Sequence, residues 1–389
     1  MEEYGYYKKK NRTRKQRTGG GVVIRIVDTV LFIITLVCTV CLLAAYLAPY
    51  IDPAKTTLFS FAGLVFPILY VAEIILGLYW LVRWRRIAIV VCVVLIFGIG
   101  GARKFYRPDI KRSYGEHKPL KTEVVVMTYN VMWMNDELAA GDKTISEMIG
   151  EFVIDNNVDI LCMQEFYHSK RLAPFDSLLV DLKYRYNRSY SGDDTDKTMS
   201  GVGMGIYSRY PIIDRGYMQN DAGRMHSQWV DLKIKRDTVR VINNHLQSTY
   251  VSGSEVDFFS SFSFSSASKV KEKARDVAKK LSENYIRRSI EARRIDSLKI
   301  ITPYPVIVCG DFNDTPVSYS YHKISRGLSD AFVKRGSGGT GTFNGGFFNM
   351  FRIDFIMASE GININNYYSY DVVMSDHMPV AAGIEVDVR

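Results

Sequence analysis

Cysteine and histidine are scarce in this chain, with five and six among 389 residues. The cysteines form neither a disulfide framework nor a metal-type set. Cys38, Cys41 and Cys92 fall in apolar segments, and Cys162 and Cys309 in predicted buried strands, where a thiol acts as a small hydrophobe. Without a histidine or thiolate cluster, zinc is disfavoured. Internal repeats are absent as well. A chain that is 47% hydrophobic and 23% charged is not disordered, collagenous or a disulfide scaffold. Its length suffices for one large or two ordinary domains. Excess charge is also missing from most of the chain, despite the net +9. Residues 1–102 carry 12 Lys/Arg against 5 Asp/Glu, whereas residues 103–389 carry 38 against 36. The basic excess is terminal, so it says little about what the larger part binds.

What the chain does have, first, is apolar length. Residues 29–51 are free of charge and long enough to cross a bilayer, which takes a helix of ~20 residues. Residues 58–82 form a second segment interrupted only by Glu73, and residues 87–102 a third, short one that extends into its arginine flanks by snorkelling. A signal peptide has a single apolar stretch of about 7–15 residues followed by a cleavage site. Three in succession predict a three-helix membrane anchor over residues 22–102, behind a basic cytoplasmic tail at 1–21. Glu73 is expected to be a helix-packing carboxylate. Lys8, Lys9, Lys10, Arg12, Arg14, Lys15 and Arg17, with Arg83, Arg85 and Arg86, mark the cytoplasmic side. Three crossings then deliver the rest of the chain to the outer, periplasmic face of a bacterial inner membrane, although Arg103, Lys104 and Arg107 pull the other way; with the third segment not spanning, the large domain is cytoplasmic instead. No protein partner is expected.

Residues 103–121 are polar, contain two prolines and read as a linker. From 122 to 389 the pattern is that of an α/β domain, with strands at 124–129, 158–163, 202–208, 228–234, 238–243, 304–309 and 352–357. Residues 144–156 have helical spacing. Residues 269–299 form one long charged helix, expected to present a solvated face. Residues 248–268, with four phenylalanines and no helical period, read as a loop or lid. Several strands end in chemically capable groups: MTYN (127–130), CMQE (162–165), NNHLQS (243–248), GDFND (310–314) and SDH (375–377), with RID (352–354) just before another strand. Strand ends are where sites collect in α/β folds. Taken singly each has a structural alternative: Asp311 as a turn former, Asn130 as a strand cap, Ser375 and Asp376 bonding their own loop, Asp354 in a surface ion pair with Arg352.

Taken together and in this order, the motifs resemble the endonuclease/exonuclease/phosphatase superfamily, which includes pancreatic deoxyribonuclease, abasic-site endonucleases, neutral sphingomyelinases and inositol-polyphosphate phosphatases. The resemblance runs from about residue 122 to the end and takes in GVGMGIYSRYPI (201–212). It implies a four-layer α/β sandwich of two packed mixed β-sheets with outer helices, and hydrolysis of a phosphate ester by an activated water. It also implies a divalent metal, usually Mg²⁺, with Mn²⁺ or Ca²⁺ as substitutes. Such a cation takes oxygen ligands and offsets the charge by which a phosphodiester repels hydroxide. By the same resemblance Glu165 is the direct metal ligand, supported by Asn130 and Asp376. His377 is the base, with Asp354 holding its tautomer. Asp311 orients the nucleophile, Asn313 donates to a phosphate oxygen, and His245 contacts the phosphate or assists the leaving group. Gln247 and Asn344 are expected to bind substrate.

Three readings of the substrate stay open. A membrane-tethered hydrolase of lipid headgroups is favoured by the anchor and by the phenylalanine-rich stretch. An extracytoplasmic nuclease acting on DNA or RNA is favoured by the basic residues of 269–280 and 287–294, and disfavoured by the near-neutral domain. A binding module that kept only the fold differs from both in having no divalent-dependent turnover.

Overall fold

The structure is a computed structural model and describes residues 19–83, 85–108, 123–139, 142–169, 173–193, 200–248, 267–339, 341–344 and 351–386. The proposed lid at 248–268 lies outside these residues, Ser248 and the helical positions 267–268 excepted.

The amino-terminal part is helical: α1 (Gly19–Leu47), α2 (Leu58–Leu64), α3 (Phe66–Val82) and α4 (Ile87–Ala102). Of the three expected spans, α1 alone is one unbroken helix long and apolar enough to cross a membrane. The second is broken at Val65 and bent by 67°. Pro67, in the first turn of α3, has no N–H to continue the ladder from α2. The third, α4, has 16 residues and at 1.5 Å per residue is about 24 Å long, short of a hydrocarbon core of about 30 Å. Glu73 is buried and accepts a hydrogen bond from Thr39 (2.6 Å), joining α3 to α1 as a packing carboxylate. At one end of this unit Arg83 and Tyr79 bind Asp28 (2.9 and 2.6 Å).

The rest of the described chain is a two-sheet sandwich. Its strands are β1 (Tyr106–Arg107), β2 (Val124–Asn130), β3 (Ile160–Ser169), β4 (Tyr184–Ser189), β5 (Ser200–Ser208), β6 (Ile212–Gln219), β7 (Met225–Ile234), β8 (Asp237–His245), β9 (Val306–Asp311), β10 (Leu328–Asp330), β11 (Gly338–Gly339), β12 (Asp354–Ser359), β13 (Ile362–Ser369) and β14 (Val380–Val386). Its helices are α5 (Ile145–Asp155), α6 (Ala173–Leu178), α7 (Ala267–Ile301), α8 (Tyr319–Ser325) and α9 (Ala331–Arg335). One sheet has the order β13-β14-β2-β3-β5-β4 and the other β10-β12-β9-β8-β7-β6. Both are mixed, with β2–β3 and β8–β9 parallel and the remaining pairs antiparallel.

Burial explains the layering. Every residue of β2 is buried, because both faces of its sheet are covered. Val124 and Val126 join Ile160, Cys162, Val230, Val241, Ile307 and Cys309 in the core between the sheets. The alternate residues Val125, Met127 and Tyr129 pack outward against Ile149, Val153 and Phe175 of α5 and α6. On the far side, Ile242, Val308 and Phe355 meet Ala292, Ile295, Tyr321 and Ile324 of α7 and α8. This is the expected four-layer sandwich. Helix α5 starts where the sequence supplies a capping box: Thr144 Oγ1 accepts from Glu147 N, and the Glu147 carboxylate accepts from Thr144 N.

Three differences from the sequence reading have local causes. Helix α7 is solvated only in its first half, since Arg288, Glu291, Ala292 and Ile295 are buried. Residues 103–107, expected as linker, are bonded to the domain: β1 pairs with β11, and Lys104 O accepts from Arg352 Nε (3.0 Å). Arg352 does not pair with Asp354 at the surface. It is fully buried between the Phe332 and Phe355 rings and grips Asp330 with two hydrogen bonds (3.1 and 2.8 Å). Removing one partner of such a pair strands the other charge, so Asp330→Ala is expected to destabilise the domain by about 3–5 kcal/mol. Chemical denaturation of the full chain in detergent measures this.

Candidate active site

The candidate catalytic groups collect at one edge of the sandwich, where β2 and β3 of one sheet and β8 and β9 of the other end side by side. Gln164 and Asn243 hold these edges together: Gln164 Nε2 donates to Asn243 Oδ1 (2.6 Å), and Asn243 Nδ2 donates back across the gap to Met163 O (2.9 Å). Buried amides bonded across the gap in this way give each strand end a defined position.

Glu165 reaches the site through a bulge. The β3–β5 register slips between Gln164 and Phe166, and Glu165 takes a left-handed conformation with φ 51°. The extra residue re-aims its side chain away from the sheet. On β9, Gly310 has φ 122°, and a Cβ there would lie 2.1 Å from Asn244 O. Only glycine lets β9 approach β8 so closely and set Asp311 beside His245. Asn313, with φ 50°, closes a turn by donating its N–H to Asp311 Oδ1 (2.7 Å) and its amide to Asp311 Oδ2 (3.1 Å).

These elements produce a compact arrangement. Asn130 Nδ2 donates to Glu165 Oε1 (3.3 Å) and Asp311 Oδ2 (3.2 Å). His245 Nε2 lies 3.6 Å from both of those oxygens. His377 Nε2 lies 3.7 Å from Asp311 Oδ2, and its Nδ1 is hydrogen-bonded to Asp354 Oδ2 (3.0 Å). Asp354 is fixed by Thr342, whose hydroxyl accepts from the Asp354 N–H (3.0 Å). Ser375 donates to Asn130 O (2.7 Å) and accepts from His377 N (3.2 Å), tying the SDH loop to the end of β2.

Of the ten residues singled out in the sequence, Asn130, Glu165, His245, Asp311, Asn313, Asp354 and His377 come together. The other three stand apart from these contacts. Asn130 is oriented with its NH₂ toward the carboxylates and its Oδ1 accepting from Met132 N (3.1 Å), so it aligns Glu165 and Asp311 instead of adding an oxygen donor. Asp376 is half-buried and bonded to Ser375 (3.2 Å), acting on Glu165 by its charge. Gln247 is held through its backbone, donating to Glu291 (2.8 Å) and accepting from Arg288 (3.3 Å). Asn344 is exposed and reaches the loop by its N–H to Asp376 O (2.6 Å).

Tyr190 was not legible in the sequence. Its hydroxyl accepts from Glu165 N (3.1 Å) and is hydrogen-bonded to His245 Nδ1. Burial, with Arg224 and His377 nearby, pushes the His245 pKa well down, so the imidazole is neutral. With Tyr190 donating to Nδ1, the proton sits on Nε2, which faces Glu165 and Asp311 and carries no hydrogen bond of its own. Nothing local distinguishes Tyr190 from the chain's 24 other tyrosines.

The donor set fits a hard divalent cation. Burial raises the pKa of Glu165 and raises that of Asp311 to about 7, against the opposing pulls of Asn130 and His377 respectively. One buried and one half-buried carboxylate short of positive charge, about a neutral imidazole, suit an added cation with oxygen ligands. Ligand atoms of Asp311, Asp354 and His377 also lie within 4.8 Å of one another, but the 3.0 Å Asp354–His377 hydrogen bond makes those two an orienting pair first. Burial opposes the charge on His377; Asp354 and then Asp311 outweigh it and raise its pKa to about 10. A pH dependence follows. Below about pH 7 Asp311 is protonated, and a cation must displace that proton to bind. Mn²⁺ affinity is therefore expected to fall roughly tenfold per pH unit below 7 and to level off above it, as isothermal titration between pH 5.5 and 8.5 would read.

Comparison with known proteins agrees with this architecture. Residues 127–377 match the pattern of the Endonuclease/Exonuclease/phosphatase family, and the chain belongs to that family. Its members are hydrolases of phosphate esters, generally dependent on a divalent metal. Residues 28–105 match a second pattern, a domain of unknown function (DUF8431). No curated protein matches the chain. Among solved structures, an endonuclease/exonuclease/phosphatase family protein from Bacteroides thetaiotaomicron is 20% identical, covering 68% of this chain and 95% of that one with a TM-score of 0.46. A mannosyl-6-phosphatase from the same organism is 20% identical, over 67% and 99%, with a TM-score of 0.45. Sphingomyelinase C from Streptomyces griseocarneus is 16% identical, over 67% and 99%, with a TM-score of 0.43.

Proposed function

We propose that this chain is a membrane-tethered, divalent-metal-dependent phosphodiesterase that uses water as the nucleophile. The observation that carries the reading is the placement of two imidazoles about one carboxylate, His245 and His377 at 3.6 and 3.7 Å from the same oxygen of Asp311. Glu165, with Asp311 beside it, would hold the cation. Mg²⁺ is the expected ion, with Mn²⁺ or Ca²⁺ able to replace it; when bound it neutralises phosphate charge.

The chain's own groups supply the rest. Asp311 and His377 face one point; with a cation offsetting the Asp311 charge that raises its pKa, His377 would accept the proton of the attacking water, while Asp354 holds its Nδ1 and stabilises the imidazolium. The water oxygen forms a new bond to phosphorus, the ester P–O bond breaks, and the leaving oxygen takes a proton. His245, neutral with its proton on Nε2, donates to the phosphate or to the leaving oxygen. Asn313, whose amide bonds Asp311 and Leu246 O (3.1 Å each), would donate to a second phosphate oxygen by exchanging its bond to Leu246 O.

We further read the chain as a tail (1–21), an anchor (22–102), a linker (103–121) and a catalytic domain (122–389). The anchor crosses a bacterial inner membrane three times, the short α4 reaching both faces through its flanking Arg85, Arg86 and Arg103, and leaves the catalytic domain on the periplasmic side. The Asp28–Arg83 cluster at one end of the helices supports this, because the catalytic domain contacts the other end, through Asp52 and Lys104. An odd number of crossings separates the two ends.

The test uses the full chain in detergent with bis(p-nitrophenyl) phosphate and p-nitrophenyl phosphate, in Mg²⁺ or EDTA. Turnover of the diester above the monoester is expected, and His245→Ala is expected to lower it about 10²-fold. Preference for the monoester would sink the diesterase reading. The nuclease alternative has one observation of its own, the exposed lysine-rich first half of α7, and Mg²⁺-dependent plasmid nicking lost in His377→Ala would favour it.

A further inference from the structure

Three of the segments that build the site are fastened to the same end of the helical unit. The first follows β9. From Asp311 and Asn313 the chain runs directly onto the helices: Thr315 Oγ1 donates to Gly63 O (3.5 Å), and Lys104 Nζ donates to Pro316 O (3.1 Å). Val317 is buried with Leu42, Ala45, Phe66 and Val94. Gly63 permits this approach, since a Cβ there would stand 2.5 Å from Val317 O. The second segment precedes β12, where Arg352 holds Lys104 O two residues before Asp354. The third is α7. Ser282 and Tyr285 meet Thr57 (3.1 Å) and Phe61 (ring centroids 5.5 Å apart), and Arg293 pairs with Asp52. The same helix's Arg288 donates to the carbonyls of Asn313 and Gln247.

The distances this allows are short. Val317 is four Cα steps from Asn313, at most about 14 Å of chain. The headgroup layer of a bilayer adds about 5–7 Å beyond each face of the hydrocarbon. Exposed Tyr50 and Leu58 lie at this end of the helices, where an aromatic belt meets the headgroups. The site is thus tied within a short reach of this end of the helices. Apolar side chains accompany these residues as well: Phe343 packs on His377 (5.0 Å), and Trp133 is half-exposed three residues after Asn130 in sequence. Trp133 sits in a left-handed run with Met132 and Met134 (φ 42–58°), a strained conformation of the kind found at ligand sites. A soluble ester has no use for the attachment to the helices, and a nucleic acid calls for a density of cationic contacts that a near-balanced domain lacks.

We infer that the substrate is a phosphate ester in the headgroup of a lipid, drawn from the bilayer that this chain's own helices enter, and hydrolysed in the leaflet facing the catalytic domain. The inference rests on the phosphoesterase and membrane readings above. The reaction is the hydrolysis already described, with water as co-reactant and either the lipid alcohol or the headgroup alcohol as the leaving group, the phosphate staying on the other product.

The experiment reconstitutes the full chain with Mg²⁺ into vesicles of phosphatidylethanolamine, phosphatidylglycerol, cardiolipin and sphingomyelin. Mass spectrometry reads lipid products while bis(p-nitrophenyl) phosphate turnover is followed in parallel. Wild type is expected to hydrolyse at least one of the four lipids. Gly63→Leu and Asp52→Arg, which press the helices off the catalytic loop and off α7, are expected to lose lipid turnover at least tenfold. Both should keep soluble-diester turnover within twofold. Exchange of the pair, Asp52→Arg with Arg293→Asp, should recover the lipid activity. Diester turnover with all four lipids intact, or plasmid nicking instead, would overturn the inference and leave the phosphodiesterase standing. Equal loss of both activities in the undocked variants, at unchanged melting temperature, would also overturn it. Absence of turnover on every substrate would remove the phosphodiesterase reading itself.

Discussion

His377→Ala is expected to lower Mg²⁺-dependent diester hydrolysis by about 10²–10⁴-fold. The size follows from what the imidazole does. It is buried, its Nε2 is 3.7 Å from Asp311, and its Nδ1 is bonded to Asp354. Truncation removes a proton acceptor and leaves Asp354 buried with no partner for either carboxylate oxygen, since its Oδ1 already has none. Part of any loss could then come from a loosened fold, so the substitution is read beside a melting curve and beside Asp354→Asn. The asparagine keeps a hydrogen-bond acceptor for His377 Nδ1 but removes the charge that raises its pKa. A smaller loss, with the pH–rate profile moved to lower pH, is expected there. If His377→Ala retained more than a tenth of the activity while folded, Asp311 alone would be the base.

Glu165→Gln is expected to raise the Mg²⁺ concentration for half-maximal activity at least tenfold, and EDTA to reduce wild-type turnover to background. Glu165 is displaced from its strand by the bulge, held by Asn130, and fixed at its backbone by Tyr190. Its raised pKa reflects a buried charge that a cation would relieve. Glutamine keeps the shape and one oxygen but removes the charge. Titration of activity with Mg²⁺ and Mn²⁺ measures the effect. An unchanged half-saturation would move the cation to the neighbouring Asp311, Asp354 and His377 oxygen and nitrogen donors.

The parts of the fold legible in the sequence were those whose signal is local. Strands β2, β8 and β9 are β-branched runs ending in polar residues, and residues 144–156 have the helical spacing that α5 follows. Strands β4 (YRYNRS) and β13 (ININNYYS) escaped because neither is an apolar run. Strand β14 (VAAGIEV) escaped because Ala and Gly have little preference for strands. All three are nonetheless held in a sheet by their neighbours.

The candidate site divides in the same way. The sequence by itself determined which residue types stand at the strand ends, the apolar length of the amino-terminal segments, and the near-balance of charge after residue 102. Those are properties of short stretches and their composition. Tertiary structure alone decided the partners: Arg352 with Asp330 and not Asp354, Tyr190 with His245 across 55 residues, Asn130 facing two carboxylates, and the loop after Asp311 seated on Gly63. Each pairing spans two elements brought together by packing. The energy of a buried charge or amide depends on which group lies opposite it, and sequence distance carries no record of that.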